Sequence, residues 1–166
     1  MLDQSLAKKD FYVLSKNIRK AIEHEKYKYE DPRAASIEAL KIIQKEYGWV
    51  ADKALHAIAE ILNVSVADLE SIATFYSQIF RESVGRHIIR YCNSVVCYIN
   101  GYQNIQVALE LKLNIKPGQT TLDNRFTLLP VCCLGNCDKG PTMMIDNNTY
   151  VHLTPQNVIQ FLEYYP

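Results

Sequence analysis

Five cysteines fall in two short stretches of the chain: Cys92 and Cys97 in CNSVVC, and Cys132, Cys133 and Cys137 in CCLGNC. Four thiolates brought together suit either a tetrahedral zinc ion or an iron–sulfur cluster. The first pair is spaced C-x4-C. The second is C-x3-C if Cys133 is used and C-x4-C if Cys132 is used. Structural zinc favours tighter C-x2-C knuckles, which aim both sulfurs at one ion. The wider gaps here open a bay that suits a [2Fe–2S] core, with two thiolates on each iron. Neighbouring residues on an extended segment point oppositely, so Cys132 and Cys133 do not both face one cluster, and spacing alone does not choose between them. Gly135 lets the backbone pass close to sulfur, Gly140-Pro141 turns the chain away, and backbone N–H groups along both loops are available to hydrogen-bond the sulfurs. No C-x-x-C pair is present, which argues against thioredoxin-type disulfide exchange.

Each cysteine stretch follows a strand signal. Residues 86–92, RHIIRYC, and residues 125–130, RFTLLP, read as strands separated by the helix GYQNIQVALELKLN, apolar at Ile105, Ala108, Leu109 and Leu113. After CCLGNC, residues 142–145 and 149–152 flank Asp146-Asn147-Asn148 as a hairpin, and Thr154 or Pro155 opens a last helix. The order β-α-β-(cysteine loop)-β-β-α is that of a small thioredoxin-like unit. Loops beyond the ends of neighbouring strands are where α/β sheets hold ligands.

The first half reads as helices. Ser15 is a cap for a helix with Ile18, Ala21 and Ile22 inward, and YEDP at residues 29–32 is a break. Ile37, Leu40, Ile43 and Tyr47 form a stripe that stops at Gly48. Asp52 is expected to cap a helix facing inward through Leu55, Ile58, Ile61 and Leu62. Ser65 to Asp68 is a capping motif leading into LESIATFYSQIF, whose Ile72, Phe75, Tyr76, Ile79 and Phe80 have helical spacing and suit either core packing or a docking face. Short connections between four helices predict an antiparallel bundle over residues 1–82, followed by the thioredoxin-like α/β domain over residues 83–166.

The 166 residues carry 18 basic and 18 acidic side chains, which argues against a nucleic-acid or polybasic membrane binder. No apolar run approaches the roughly 20 residues of a membrane-spanning helix, and the opening MLDQSLAKKDFYVL lacks a signal-peptide pattern. A reducing compartment is therefore expected, where clustered cysteines favour metal or redox chemistry over disulfides. His24, His56 and His152 lie far from the cysteines in sequence, His87 sits on the first strand, and none is needed beside four thiolates. Trp49 reads as a core anchor, Tyr91 and Tyr98 as candidate shields beside the cysteines, and Asp138-Lys139 as a solvated turn.

The segments EDPRAASIEALKIIQKEYGWV, ATFYSQIF, CNSVVCYINGYQ and LLPVCCLGNCDKGPTMMI resemble the E-type subunits of bacterial NADH-quinone oxidoreductases (respiratory complex I), a family whose mitochondrial counterpart is the 24 kDa subunit. The resemblance runs from about Ile22 to the C-terminus. It implies an N-terminal helical bundle and a thioredoxin-like domain holding one [2Fe–2S] cluster on Cys92, Cys97, Cys133 and Cys137, with Cys132 a neighbour of no assigned role. It implies docking onto the larger F-type partner that binds FMN and NADH, beside other peripheral-arm subunits. The cluster would exchange single electrons with that FMN, away from the main electron path. No NADH or quinone site is implied on this chain, and no G-x-G-x-x-G is present. The implied place is the cytoplasmic face of the bacterial inner membrane, reached through the complex without insertion. Equivalent diaphorase subunits of NAD-linked hydrogenases or formate dehydrogenases are the alternative, and a zinc-bound structural adaptor is the reading from a different class.

Overall fold

The structure, a computed structural model, describes residues 14–166. The opening segment judged for targeting signals lies, but for Leu14, outside the described residues. The chain divides into two compact units, one ending at Ser83 and the other spanning Val84–Pro166.

In the first unit, α1 (Lys16–Lys26) opens on Ser15, whose hydroxyl accepts the Ile18 N–H at 3.3 Å, and buries Ile18 and Ile22. The break at Pro32 becomes a single 3-10 turn, Pro32–Ala35, capped by the Asp31 carboxylate on the Arg33 N–H at 2.9 Å. From it runs α2 (Ser36–Tyr47), stopped by Gly48 in the left-handed region at φ 82°. Its buried face is Ser36, Ala39, Leu40 and Ile43, narrower than the expected stripe. Ile37 is only half-buried and Tyr47 is exposed.

Asp52 does not cap α3 (Asp52–Leu62). It is the first helical residue after an extended Ala51, and its carboxylate takes an Arg81 N–H at 2.6 Å instead. Leu55, Ile58, Ile61 and Leu62 are buried as expected. The Ser65 hydroxyl caps α4 (Val66–Phe75) through the Asp68 N–H at 3.0 Å. Asp68 does not return the bond; it forms a bidentate pair with Arg33 at 2.6 and 2.8 Å. These four helices share one apolar core.

The aromatic stripe expected beyond residue 72 does not survive as a helix face. Backbone at Tyr76 turns extended (φ −88°, ψ 103°), ending α4 at Phe75. Gln44 then clamps the segment that follows, donating to the Gln78 carbonyl at 2.8 Å and accepting the Phe80 N–H at 2.7 Å. Ile79 joins the core, whereas Phe75 is 79% exposed.

In the second unit, β1 (His87–Cys92) pairs in parallel with β2 (Phe126–Val131), from His87 opposite Phe126 to Cys92 opposite Val131. Parallel strands cannot be joined by a tight turn, and the crossover is made by α5 (Val95–Ile99) and α6 (Tyr102–Leu113). The helix α5 is absent from the expected order; the rest of that order is present. β3 (Met143–Ile145) and β4 (Asn148–Tyr150) form the hairpin about Asp146, which sits at φ 53°, and β3 runs antiparallel to β1. The described sheet order is β2-β1-β3-β4. Thr154 and Asn157 form a reciprocal capping box for α7 (Pro155–Leu162), which packs on α6. Ile89, Leu109, Leu128, Met143 and Val158 are fully buried between sheet and helices. Helical bundle and thioredoxin-like α/β unit match the class read from the sequence. No helix among the described residues is long and apolar enough to cross a membrane.

Gly85 sets the start of β1 against β2. Its N–H donates to the Thr127 hydroxyl at 2.6 Å, and a Cβ at this position would lie 2.9 Å from backbone atoms of Phe126. Main chain of a buried strand cannot swing aside as a side chain can. Gly85→Ala is therefore expected to destabilise the chain by about 1–3 kcal/mol through overpacking, read as a lower urea midpoint by far-UV circular dichroism.

Candidate metal centre

Parallel pairing ends β1 and β2 on the same side of the sheet. Past the last paired residues the Asn93 N–H donates to the Val131 carbonyl at 3.0 Å, and at the strand end the Cys92 N–H donates to the Thr142 carbonyl at 3.1 Å. Cys92, the last residue of β1, is thereby laid beside the loop that begins at Cys132. Its Sγ donates to the Cys132 carbonyl oxygen at 3.0 Å. Cys132 thus meets Cys92 through its main chain, while its own side chain is exposed.

Cys97 sits on α5 rather than on a loop, and the short helix turns its thiol inward. Cys92 and Cys97 are each 2% exposed, whereas Cys133 and Cys137 are exposed. Gly140 approaches Cys97 closely: a Cβ there would stand 3.4 Å from the Cys97 Sγ and 3.0 Å from the Asn100 side-chain nitrogen. The spacing marked Gly140-Pro141 only as a turn; its packing role against sulfur had no local signal, nor did the backbone contact of Thr142 with Cys97.

Gly135, at φ 81°, folds CCLGNC back on itself. Its N–H donates to the Cys133 Sγ at 3.4 Å, and the Cys133 and Cys137 sulfurs stand 3.5 Å apart. The four sulfurs interact electrically. Burial, reinforced by Cys92, pushes the Cys97 thiol up to about 11. The Gly135 N–H, followed by Cys137, draws Cys133 below the ordinary thiol value, and the proximity of Cys133 raises Cys137. Cys92 acts on all three, and the Cys132 sulfur is not among the groups that shift them.

Two sulfurs bound to one tetrahedral metal at ~2.3 Å lie about 3.8 Å apart. The 3.5 Å between Cys133 and Cys137 is close to that separation. Among the described residues no three His, Cys, Asp or Glu side chains converge on one ion position. The thiols stand as a buried pair, Cys92 and Cys97, and an exposed pair, Cys133 and Cys137.

Other residues singled out lie elsewhere. His87 is at the opposite end of β1 from Cys92, with its Nδ1 2.7 Å from an Asp146 carboxylate oxygen. His24 and His56 are on helices of the first unit, and His152 is exposed. Tyr91 does not cover the cysteines: strand alternation turns it to the face opposite Cys92, where its ring stacks on Tyr102 with centroids 6.0 Å apart. Tyr98 is 58% exposed. Trp49 is half-buried, and Asp138 and Lys139 are exposed in a 3-10 turn that begins at Cys137.

Comparison with known proteins adds to this geometry. The profile of the thioredoxin-like [2Fe–2S] ferredoxin family matches residues 22–166. The E-type subunit of NADH-quinone oxidoreductase from Escherichia coli (strain K12) is 69% identical over 154 residues, which is 93% of each chain. The protein of the same name from Pseudomonas aeruginosa is 56% identical over 165 residues, 99% of each chain. Among solved structures, an NAD+-reducing [NiFe]-hydrogenase in the air-oxidized state superposes with a TM-score of 0.62 at 22% identity. That match covers 81% of this chain but only 22% of the hydrogenase chain, and it is a likeness of fold.

The burial pattern predicts an order of reaction. With metal stripped and thiols reduced, iodoacetamide is expected to label Cys132, Cys133 and Cys137 while Cys92 and Cys97 stay protected until urea unfolds the chain. Because Cys133 is depressed and Cys137 raised, labelling of Cys133 should reach its plateau at a lower pH than Cys137. Peptide mass spectrometry across a pH series checks both; equal labelling of all five sites in the folded chain contradicts the arrangement.

Proposed function

The chain belongs to the thioredoxin-like [2Fe–2S] ferredoxin family and, within it, with the E-type subunits of NADH-quinone oxidoreductase; on that footing we propose that it is the electron-transfer subunit of the NADH-oxidising module of a respiratory NADH-quinone oxidoreductase. Cys92, Cys97, Cys133 and Cys137 hold one [2Fe–2S] cluster, the buried pair on one iron and the exposed pair on the other. Bound there, the cluster takes up and returns one electron at a time. The observation that carries this reading is that two parallel strand ends bring the two cysteine stretches side by side, with the Cys92 thiol on the Cys132 carbonyl and the Cys133 and Cys137 sulfurs 3.5 Å apart, in a chain that matches such a relative over 93% of its length.

The chain's own residues fix the conditions of that exchange. The Gly135 N–H at the Cys133 sulfur, and the Thr142 backbone at Cys97, supply positive dipole ends where thiolate charge gathers. Such hydrogen bonds favour the more negative, reduced state and raise the potential. Burial of Cys92 and Cys97 opposes added charge, while exposed Cys133 and Cys137 bring the opposite edge to the surface, where a partner can approach.

The partner is the larger F-type protein that binds FMN and NADH, with other peripheral-arm subunits beside it. Hydride chemistry belongs to that partner, and this chain contributes single-electron exchange with its FMN. Assembly places the chain on the cytoplasmic face of the bacterial inner membrane. A diaphorase component of an NAD-linked hydrogenase would use the same fold, as the hydrogenase superposition illustrates. The 69% identity to a quinone-linked relative favours the respiratory complex, and co-purification with its components rather than with those of a hydrogenase separates the two.

Iron and labile-sulfide analysis with electron paramagnetic resonance of the dithionite-reduced protein is the direct test. Two irons and two sulfides per chain and a reduced-state signal are expected. Cys132→Ala should keep that signal nearly unchanged, and Cys133→Ala should lose it or alter it strongly. A chain with one zinc and no sulfide after anaerobic reconstitution would falsify the proposal.

A further inference from the structure

The exposed pair of thiols carries a second chemistry. We propose that in the cluster-free chain Cys133 and Cys137 form a reversible disulfide on oxidation, which blocks cluster loading until a dithiol reductant reopens it. This rests on the reading that the same two residues are iron ligands.

Selectivity among the five thiols follows from position. Cys92 and Cys97 are each 2% exposed and out of reach of a dissolved oxidant. Cys133 and Cys137 are both exposed, with sulfurs 3.5 Å apart. A disulfide needs about 2.05 Å between sulfurs, so closure requires a movement of roughly 1.5 Å. The segment between them consists of exposed or half-buried residues and is already folded back by Gly135 at φ 81°. Cys132 is exposed too, but it is a sequence neighbour of Cys133. The Cys132 carbonyl is held by the Cys92 thiol at 3.0 Å, which fixes the peptide that links Cys132 to Cys133. Reorienting that peptide to join Cys132 with Cys133 would break this contact.

With hydrogen peroxide as oxidant, one thiol of the pair is oxidised to a sulfenic acid, and the peroxide's other oxygen leaves as water. The second sulfur attacks the sulfenic sulfur, forms the S–S bond and releases a second water. Two electrons pass from the dithiol to peroxide, and the two thiol protons end in the waters. The oxidised chain retains only Cys92 and Cys97 of the four ligands. Two electrons from a dithiol, delivered by thiol–disulfide exchange, restore the set.

The test uses the full chain, reduced, freed of metal by chelation and desalted anaerobically. After stoichiometric peroxide, peptide mass spectrometry is expected to find Cys133 joined to Cys137 with loss of two hydrogens, and Cys132 still open to alkylation. Cys132→Ala should form the same link, and Cys137→Ser should not. Anaerobic reconstitution with ferrous iron and sulfide should give no visible absorbance from the oxidised chain, and full absorbance once dithiothreitol is added. A link through Cys132, over-oxidation of Cys133 without a link, or equal loading of oxidised and reduced chains would overturn the proposal. Failure of the reduced wild-type chain to load a cluster would instead count against the ligand reading, while the peptide map still decides the disulfide.

Discussion

The rest of the candidate metal centre depends on one pairing, the parallel register of β1 with β2. Cys92 stands opposite Val131, so the residue that ends one strand lies next to the residue that leads into the second cysteine stretch. An antiparallel pairing would put the two stretches at opposite ends of the sheet, a strand length of about 17–20 Å apart. Parallel pairing in turn demands a long crossover, which α5 and α6 provide. The crossover also delivers Cys97, since α5 begins almost as soon as β1 ends. Topology and thiol supply are therefore one requirement: the segment that permits the strands to be parallel also carries Cys97.

The same arrangement makes the site asymmetric. Cys92 and Cys97 belong to the sheet end and to a helix pressed against Gly140, and they are buried with the unit's interior. Cys133 and Cys137 belong to a loop held by a glycine turn, and they face outward. Burial disfavours the thiolate of Cys97, whereas the Gly135 N–H favours that of Cys133. The proposed one-electron exchange with a partner and the proposed disulfide both fall on the outward side, where the sulfurs are exposed.

How much of this was legible depended on whether the signal was local. Cap residues such as Ser15, Ser65 and Thr154 act on the backbone three residues on, and reading them needs only a short window. The spacing of the cysteines likewise carried the wide bay. Failures came where a distant residue decided. LESIATFYSQIF has helical periodicity throughout, yet Gln44 bonds the segment at Gln78 and Phe80, and the Val50 N–H donates to the Phe80 carbonyl at 2.8 Å. The Gln44 contacts cross more than thirty positions, and together these bonds stop a helix that propensity would continue. Asp52 was drawn from its capping role in the same way by Arg81, which also pairs with Glu70 at 2.9 Å. The helix at Val95–Ile99 escaped because five residues are too few to show a period.

The adjacent pair Cys132 and Cys133 marks where spacing reaches its limit and geometry takes over. Both fit a cysteine bay by count, and only the direction of their side chains separates them. Chain direction is set upstream, because β2 ends at Val131 and the backbone bends at Cys132. The Cys132 carbonyl then turns toward the Cys92 thiol while the next side chain, that of Cys133, meets Cys137. Two neighbouring residues thus meet the other cysteines by different atoms. Cys132 contributes a main-chain oxygen that any residue type supplies, so its sulfur is dispensable to the arrangement. Cys133 contributes the sulfur itself, for which no other side chain can stand in at that distance from Cys137.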